Sequence, residues 1–390
     1  MSKWLEVVLD KICETITDGT HLTPPLAERG VPLYNGADIN NMKIHNTSPS
    51  KFISRETDNV LATRCKPQGN DVLISSRGSI GKVAIVEEGQ DFNIMGNIIL
   101  CRPSQEKLLP WFLGYYFKGK QNKLEELAHG VAQKGLYLSI IRNLHIPLPP
   151  LETQKQIAKT LDTTTELLAM RKKQLKELDN LIKSTFYDMF GDPVTNEKGW
   201  DIVSIVDVCS EIVDCVNKTA PIIDGISPYK MLRTTNIKKG KVDTQNVNYV
   251  DEQTFQKWTR RSLPRRGDVL LTREAPIGET GIIESDENLF LGQRIVSYRV
   301  NGSIMHPLYL MYHMQSEHFE HQIRKLARGS TVKHLSVPEC NLFEVYVPPL
   351  IQQNKFAEIV TIIEEQKALV KKAIDETQYL FDSLMSEYFE

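Results

Sequence analysis

Residues 151–190 read LETQKQIAKTLDTTTELLAMRKKQLKELDNLIKSTFYDMF, with Pro149-Pro150 in front and Gly191-Asp192-Pro193 behind. The run contains neither Gly nor Pro. Ile157, Leu161, Leu168, Leu175, Leu178, Ile182 and Met189 recur at steps of three, four or seven. Those steps place them on one stripe of an α-helix, a heptad seam with Thr164, Arg171 and Thr185 as polar breaks. Proline before the run, and Gly then Pro after it, are helix start and stop signals. From Glu152 to Met189 the rod would be roughly 57 Å long at 1.5 Å per residue. A single helix of that length with one apolar stripe needs a surface to cover the stripe.

The same chain supplies a second such helix. Pro348-Pro349-Leu350-Ile351-Gln352-Gln353 repeats Pro149-Pro150-Leu151-Glu152-Thr153-Gln154. A second seam follows at Phe356, Val360, Ile363, Val370, Ile374, Phe381 and Tyr388, broken by the polar residues Lys367 and Thr377. Each helix could cap a domain of its own, but two matched seams favour a side-by-side, antiparallel pair.

The repeat extends beyond the helices. Trp4-Leu5-Glu6-Val7 answers Trp200-Asp201-Ile202-Val203, and Gly69-Asn70-Asp71-Val72-Leu73-Ile74-Ser75-Ser76 answers Arg266-Gly267-Asp268-Val269-Leu270-Leu271-Thr272-Arg273. Ile80-Gly81 matches Ile277-Gly278, Gly96-Asn97 matches Gly292-Gln293, and Pro110-Trp111-Phe112-Leu113 matches Pro307-Leu308-Tyr309-Leu310. Short apolar runs at Val72–Ser75, Val83–Val86, Ile98–Cys101 and His145–Leu148 read as strands. Trp111–Leu127 and Pro307–Ala327 read as helices. The expected fold class is therefore α+β: two repeated, β-rich mixed α/β domains separated by a pair of long antiparallel coiled-coil-like helices, with pseudo-twofold symmetry. The expected segments are 1–150, a helix over 151–192, 193–348 and a helix over 349–390.

Composition bounds the function. The 390 residues carry a formal net charge of −2 and 41% hydrophobic residues, ordinary for a protein outside membranes. No apolar run is long enough to span a bilayer, and the N-terminus lacks the apolar core of a secretion signal. Cys13, Cys65, Cys101, Cys209, Cys215 and Cys340 form no CxxC pair, so free thiols in a reducing cytoplasm are expected. The near-neutral total hides basic runs. Lys257, Arg260, Arg261, Arg265, Arg266 and Arg273 enclose only Asp268, and Lys230, Arg233, Lys238, Lys239 and Lys241 enclose no acid. Such runs either are solvated faces or hold a phosphate backbone.

The duplicated unit, the Pro-Pro-Leu-x-x-Gln opening of each long helix, the Phe186-Tyr187-Asp188-Met189-Phe190-Gly191-Asp192-Pro193 close of the first and the Gly-Asp-Val-Leu strand in each domain resemble the specificity subunit of type I restriction–modification systems. The resemblance covers essentially the whole chain. It implies two target-recognition domains, each reading one half of a split sequence in double-stranded DNA, and a helix pair that sets the spacer and docks two methylase (modification) subunits. It also implies that S-adenosylmethionine, ATP and Mg belong to those partners and to the restriction/translocase subunits, with no cofactor and no catalytic site in this chain. A duplicated structural adaptor for protein or RNA is the competing reading.

The residues agree with the lack of a catalytic motif. None of the Pro-Pro pairs has the Asn/Asp before it and Tyr/Phe after it that adenine methylation uses. Gly78-Ser79-Ile80-Gly81-Lys82-Val83 lacks the first Gly and the Ser/Thr of a phosphate loop and reads as a tight turn. His313, His318 and His321 have no metal frame and read as core or surface histidines. Base edges call for Arg, Lys, Asn or Gln, and phosphates also take Ser and Thr. The polar loop candidates in the first domain are Thr20, His21, Asn35, Asp38, Asn40, Ser75, Ser76, Arg77, Gln133 and Lys134. In the second they are Lys230, Arg233, Thr235, Asn236, Thr272, Arg273, Glu274, Arg294, Arg328, Ser330 and Lys333. Arg77, Arg273 and Lys333 stand out by charge and place. Arg77 sits one position beyond the partner of Arg273, so the two domains place charge differently after the same strand.

Overall fold

A computed structural model describes residues 4–44, 49, 51–128, 134–327 and 333–389. The long helices run Leu151–Phe190 and Leu350–Phe389, 40 residues each. The chain divides into two compact units, Met1–Lys173 with Lys371–Glu390, and Gln174–Val370. Each unit thus holds one β-rich body and a segment of each long helix.

In the first unit a four-stranded antiparallel sheet has the order Cys13–Asp18, Ile98–Pro103, Val72–Ser75, Val83–Ile85. Both of its faces are covered, which explains strands that are apolar throughout rather than alternating. Val72, Ile74, Ile99 and Cys101 face a core built with Phe112, Leu113 and the long helices. Leu73, Ile98 and Leu100 face a smaller core with Tyr34, Ile39 and Phe92. A second sheet, Phe52–Ile53, Val31–Tyr34, Asn93–Ile94, pairs antiparallel and then parallel. The second unit repeats both sheets. Its strands are Cys209–Asp214, Ile295–Val300, Val269–Arg273 and Ile277–Ile282 in the first, and Asn248–Tyr249, Tyr229–Leu232 and Asn288–Leu291 in the second. The single helices expected over 111–127 and 307–327 are each two: Pro110–Gly119 with Gln121–Leu127, and Pro307–His313 with Glu317–Leu326. In the second pair Ser316 caps the new helix by accepting the Phe319 N–H, so the chain restarts instead of continuing.

The long helices pack together within each unit, and they do so antiparallel. In the first unit Ile157, Leu161 and Leu168 share a core with Phe381, Met385 and Phe389. The Phe389 ring lies 5.4 Å from that of Phe112 and 5.9 Å from that of Tyr116. A side chain at Gly119 would begin 2.7 Å from the Met385 methyl, so glycine here lets that methyl lie directly on the helix. Arg171, a polar break in the seam, donates to the Ala373 carbonyl and the Thr377 hydroxyl. In the second unit Phe356 packs 5.6 Å from Phe186 and 5.5 Å from Phe190, while Phe190 meets Tyr309 at 4.7 Å. There Lys367 pairs with Asp179 at 2.6 Å and with Glu364 at 2.5 Å. Burial alone would lower the Lys367 ammonium, but the two carboxylates hold it above its ordinary range.

Two motif residues that the repeat singled out are structural anchors. The buried Gln154 side chain accepts from the Leu109 N–H at 2.8 Å and donates to the Lys107 and Pro149 carbonyls. Gln353 does the same with His306, Ile304 and Pro348. One amide thus ties each long-helix opening to the turn before the Pro110–Gly119 or Pro307–His313 helix. Likewise, buried Asp71 takes two hydrogen bonds of 2.7 Å from Arg102, and buried Asp268 takes bonds of 2.9 and 2.8 Å from Arg299. These forked pairs explain the aspartate of the Gly-Asp-Val-Leu strand. At the close of the first long helix, Gly191 adopts φ +77° and its N–H returns to the Tyr187 carbonyl at 2.8 Å, a left-handed cap.

His313 is fully buried in the second unit, its ring 5.2 Å from that of Tyr346 and 6.0 Å from that of Tyr309. Burial, together with neighbouring His318, depresses its pKa from 6.5 to about 3, against the weaker pull of the Glu344 backbone. His318 is shifted the same way, chiefly by burial. As pH falls below 6.5 the unfolded chain takes up protons that the folded unit refuses until about pH 3. Stability that is complete above the unfolded value is therefore lost through that window, at about 1.4 kcal/mol per pH unit for one such group. Urea unfolding at pH 7, 6 and 5 should show a smaller acid loss in His313→Phe than in the unchanged chain. Equal losses in the two would contradict the assignment.

Candidate nucleic-acid interface

In each unit, five loops meet at the ends of the strands and form one rim. In the first unit the loop after Cys13–Asp18 is tied to the turn between Asn93–Ile94 and Ile98–Pro103. Thr20 N–H donates to the Ile94 carbonyl at 3.1 Å and Gly96 N–H to the Thr20 carbonyl at 2.7 Å. Met95 N–H reaches the Tyr34 carbonyl at 2.8 Å, and Gly36 N–H reaches Asn97 Oδ1 at 3.3 Å, which adds the loop carrying Asn35. Ser76 N–H donates to the Asn97 carbonyl and Leu136 N–H to the Ser76 carbonyl, both at 2.8 Å. Arg77 bridges Gly135, next to Lys134. Thr20, His21, Asn35, Ser76, Arg77 and Lys134 therefore come together, although they span more than a hundred residues of sequence.

The second unit builds the same rim. Cys215 N–H donates to the Ile295 carbonyl at 3.2 Å, Gly292 N–H to the Leu232 carbonyl at 2.7 Å, Arg273 N–H to the Arg294 carbonyl at 2.8 Å, and Leu335 N–H to the Arg273 carbonyl at 3.0 Å. Thr234 Oγ1 donates to the Ala275 carbonyl at 3.0 Å. A side chain at Gly292 would begin 2.4 Å from the Leu232 carbonyl oxygen, so the turn closes only with glycine there. These bonds place Asn97 opposite Arg294, one residue on from the Gln293 suggested by sequence spacing. They likewise place Ser76 opposite Arg273 and Arg77 opposite Glu274.

Several candidates are buried or half-buried and used inside the fold. The Ser75 and Thr272 hydroxyls accept the Lys82 and Glu279 N–H groups, each at 2.9 Å, and stitch the same hairpin in both units. Asp38 and Asn236 each accept the N–H three residues before them, from Asn35 at 2.8 Å and Arg233 at 2.9 Å, which shapes the short turn after the strand. Arg273, only 7% exposed, donates to the Leu335 carbonyl at 3.0 Å and points a second nitrogen at Cys215 Sγ, 3.8 Å away. It makes no ion pair among the described residues, so its charge adds positive potential beneath the rim.

Other candidates are exposed. Arg77, Lys134, Arg233, Thr235, Arg294 and Lys333 lie open on or beside the rims. His21 pairs with Asp18 at 2.8 Å. Asp18 also pairs with Arg64, a half-exposed guanidinium that sequence reading did not single out, because nothing marks the end of the Arg55–Ala62 helix as lying near His21. Two candidates lie apart from the rims. Asn40 pairs with Lys43 in a small hairpin, and Lys230 sits within its sheet on Glu287, whose carboxyl it holds below the ordinary range. Gln133, Arg328 and Ser330 lie outside the described residues. Among the described residues no helix is long and apolar enough to cross a membrane, and no group of three His, Cys, Asp or Glu is placed to hold a metal ion.

Known proteins are similar to this chain in sequence and in fold. The family model described as the type I restriction modification DNA specificity domain matches the chain twice, over residues 1–180 and 197–378. A putative type I restriction enzyme MjaX specificity subunit from Methanocaldococcus jannaschii is 27% identical over 390 residues, covering 96% of this chain and 87% of that one. The type I restriction enzyme MjaVIII specificity subunit of the same organism is 25% identical over 354 residues, covering 83% and 80%. Among solved structures, the S subunit of a type I restriction–modification system from M. genitalium superposes with a TM-score of 0.60 at 15% identity, over 100% of this chain and 96% of that chain. A chain from a structural study of assembly and conformational transition in the type I R-M system gives 0.61 at 19% identity, over 99% and 97%.

The two kinds of candidate separate in one comparison. Thr272→Val leaves the Glu279 N–H without its acceptor and should cost about 1–2 kcal/mol in urea unfolding. Arg77→Ala removes an exposed side chain and should stay within about 0.5 kcal/mol of the unchanged chain. The reverse order would contradict the placement of both.

Proposed function

The chain belongs to the family of type I restriction–modification DNA specificity subunits, and on that premise we propose that it reads a split target in double-stranded DNA, one half per unit. The observation that carries this reading is the rim built twice on one frame with different side chains on it. The first unit sets His21, Arg77 and Lys134 on its rim, with a neutral Asn97 in the turn. The second sets Arg233, Arg294 and Lys333 there, with Glu274 in place of Arg77. A shared frame positions each rim on the duplex, and the unlike side chains read unlike half-sites. Buried Arg273 supports an anionic ligand at the second rim.

The long helices, which run through both units, set the spacer between the half-sites and dock two methylase subunits. Exposed apolar residues on them, such as Met170 at 63% and Leu369 at 69%, supply surface for that docking. The chemistry lies in the partners. Methylase subunits supply adenine methylation with S-adenosylmethionine, and the restriction/translocase subunits supply ATP- and Mg-dependent movement and cleavage, in the cytoplasm. This chain supplies the address.

Two changes test the division of labour. Replacing residues 1–149 with the matching domain of a relative should change one half-site and leave the other. Inserting seven residues within Leu161–Lys183, with a matching insertion in the second helix, adds roughly 10 Å of helix and should lengthen the spacer by about three base pairs. Sequencing the sites methylated by the assembled complex reads both. An unchanged spacer, or both half-sites changing together, would contradict the proposal.

A further inference from the structure

We infer that Arg294 reads a guanine in the half-site bound by the second unit, with Glu274 as the positioning residue that aims it. The inference rests on the DNA-reading function proposed above. The tight turn Gly292-Gln293-Arg294 crosses between the two sheets of the unit. The Arg294 backbone is fixed on both sides: its N–H donates to Cys215 Sγ at 3.2 Å and its carbonyl accepts from Arg273 at 2.8 Å. It adopts φ +69°, a left-handed conformation that an arginine occupies only when its surroundings impose it. The side chain then leaves the rim from a backbone held by two hydrogen bonds.

The side chain is paired as well. Nε lies 3.1 Å from Glu274 Oε2, with the arginine 45% and the glutamate 25% exposed. Glu274 is itself held at the end of the Val269–Arg273 strand, beside the Ala275 carbonyl that accepts from Thr234. With Nε beside the carboxylate, the two terminal nitrogens have no hydrogen-bond partner among the described residues and remain open to a ligand. They form a planar fork matched to O6 and N7 of guanine in the major groove.

The carboxylate also argues for a base rather than a phosphate. A negative charge 3.1 Å from the guanidinium weakens its pull on a phosphate, whereas it fixes the plane of a fork that must meet a base edge. An exposed pair of this kind contributes little to stability, so its geometry is its main effect. The first unit lacks the pair: Arg77 stands where Glu274 does, and Asn97 stands where Arg294 does.

The test offers a random duplex pool to the full chain assembled with its methylase subunits, and sequences the bound DNA. The unchanged chain should return a split motif. Arg294→Ala and Arg294→Lys should lose a guanine preference at one position of one half-site by about tenfold or more, with the other half-site kept as the internal folding control. Glu274→Gln should weaken the same preference at the same position about three- to tenfold. If Arg294→Ala binds nothing, Arg294→Lys decides, because it keeps the charge and loses the fork. A guanine preference retained in the arginine variants overturns the inference, as does a loss of affinity equal on all sequences. An unaltered preference in Glu274→Gln overturns the positioning role. No motif from the unchanged chain overturns instead the reading of the chain as a DNA specificity subunit.

Discussion

The contact between antiparallel helix segments inside each unit is the one on which the rest depends. In the first unit Phe381, Met385 and Phe389 lie under the same sheet-backing helix as Ile157 and Leu161. Each such side chain, once buried, contributes roughly 1.5–3 kcal/mol relative to exposure. The β-rich body therefore does not close its core alone; it needs both helices. The polar breaks in the seams fix which turn meets which. Among the described residues Arg171 finds its acceptors at Ala373 and Thr377, and Lys367 finds its counter-ions at Asp179 and Glu364. A slip by one heptad would part Arg171 from Ala373 and Thr377 and Lys367 from Asp179, leaving Lys367 only Glu364 of its own helix, and that loss favours one register.

From that closed core the rim follows. Gln154 and Gln353 tie the helix openings to the sheet-backing helices, and Asp71–Arg102 and Asp268–Arg299 brace the strands whose far ends carry the loops. The bracing is nearly identical in the two units, while the charged side chains on the loops are not. The family's task requires this division. On the reading proposed above, a repeated frame of this kind allows a few rim substitutions to change what is read without refolding the unit.

Much of this was legible in the sequence. The seams, the Pro-Pro-Leu-x-x-Gln openings and the Gly-Asp-Val-Leu strands are patterns of burial and of helix ends, and burial leaves a periodic trace. The polar roles were less legible. Ser75, Thr272, Asn236 and Arg273 look in sequence like loop residues available to a ligand, yet all four are buried and bonded within the fold. A hydroxyl or amide at a strand end serves a turn as readily as a phosphate, and only the acceptor geometry tells them apart. Arg64 and the Glu274–Arg294 pair were hidden for the opposite reason: their partners lie 46 and 20 residues away, brought close by loops with no periodicity of their own.

On the reading proposed above, this chain alone chooses where its system acts, and the choice is a split sequence. Mapping methylated adenines across the genome of a host that carries the complete system, before and after deletion of this chain, tests it most directly. The account predicts methylation at one motif of two short halves separated by a fixed gap, absent after deletion and restored when the chain is supplied again. Methylation that persists without the chain, or that marks one continuous motif, would contradict it.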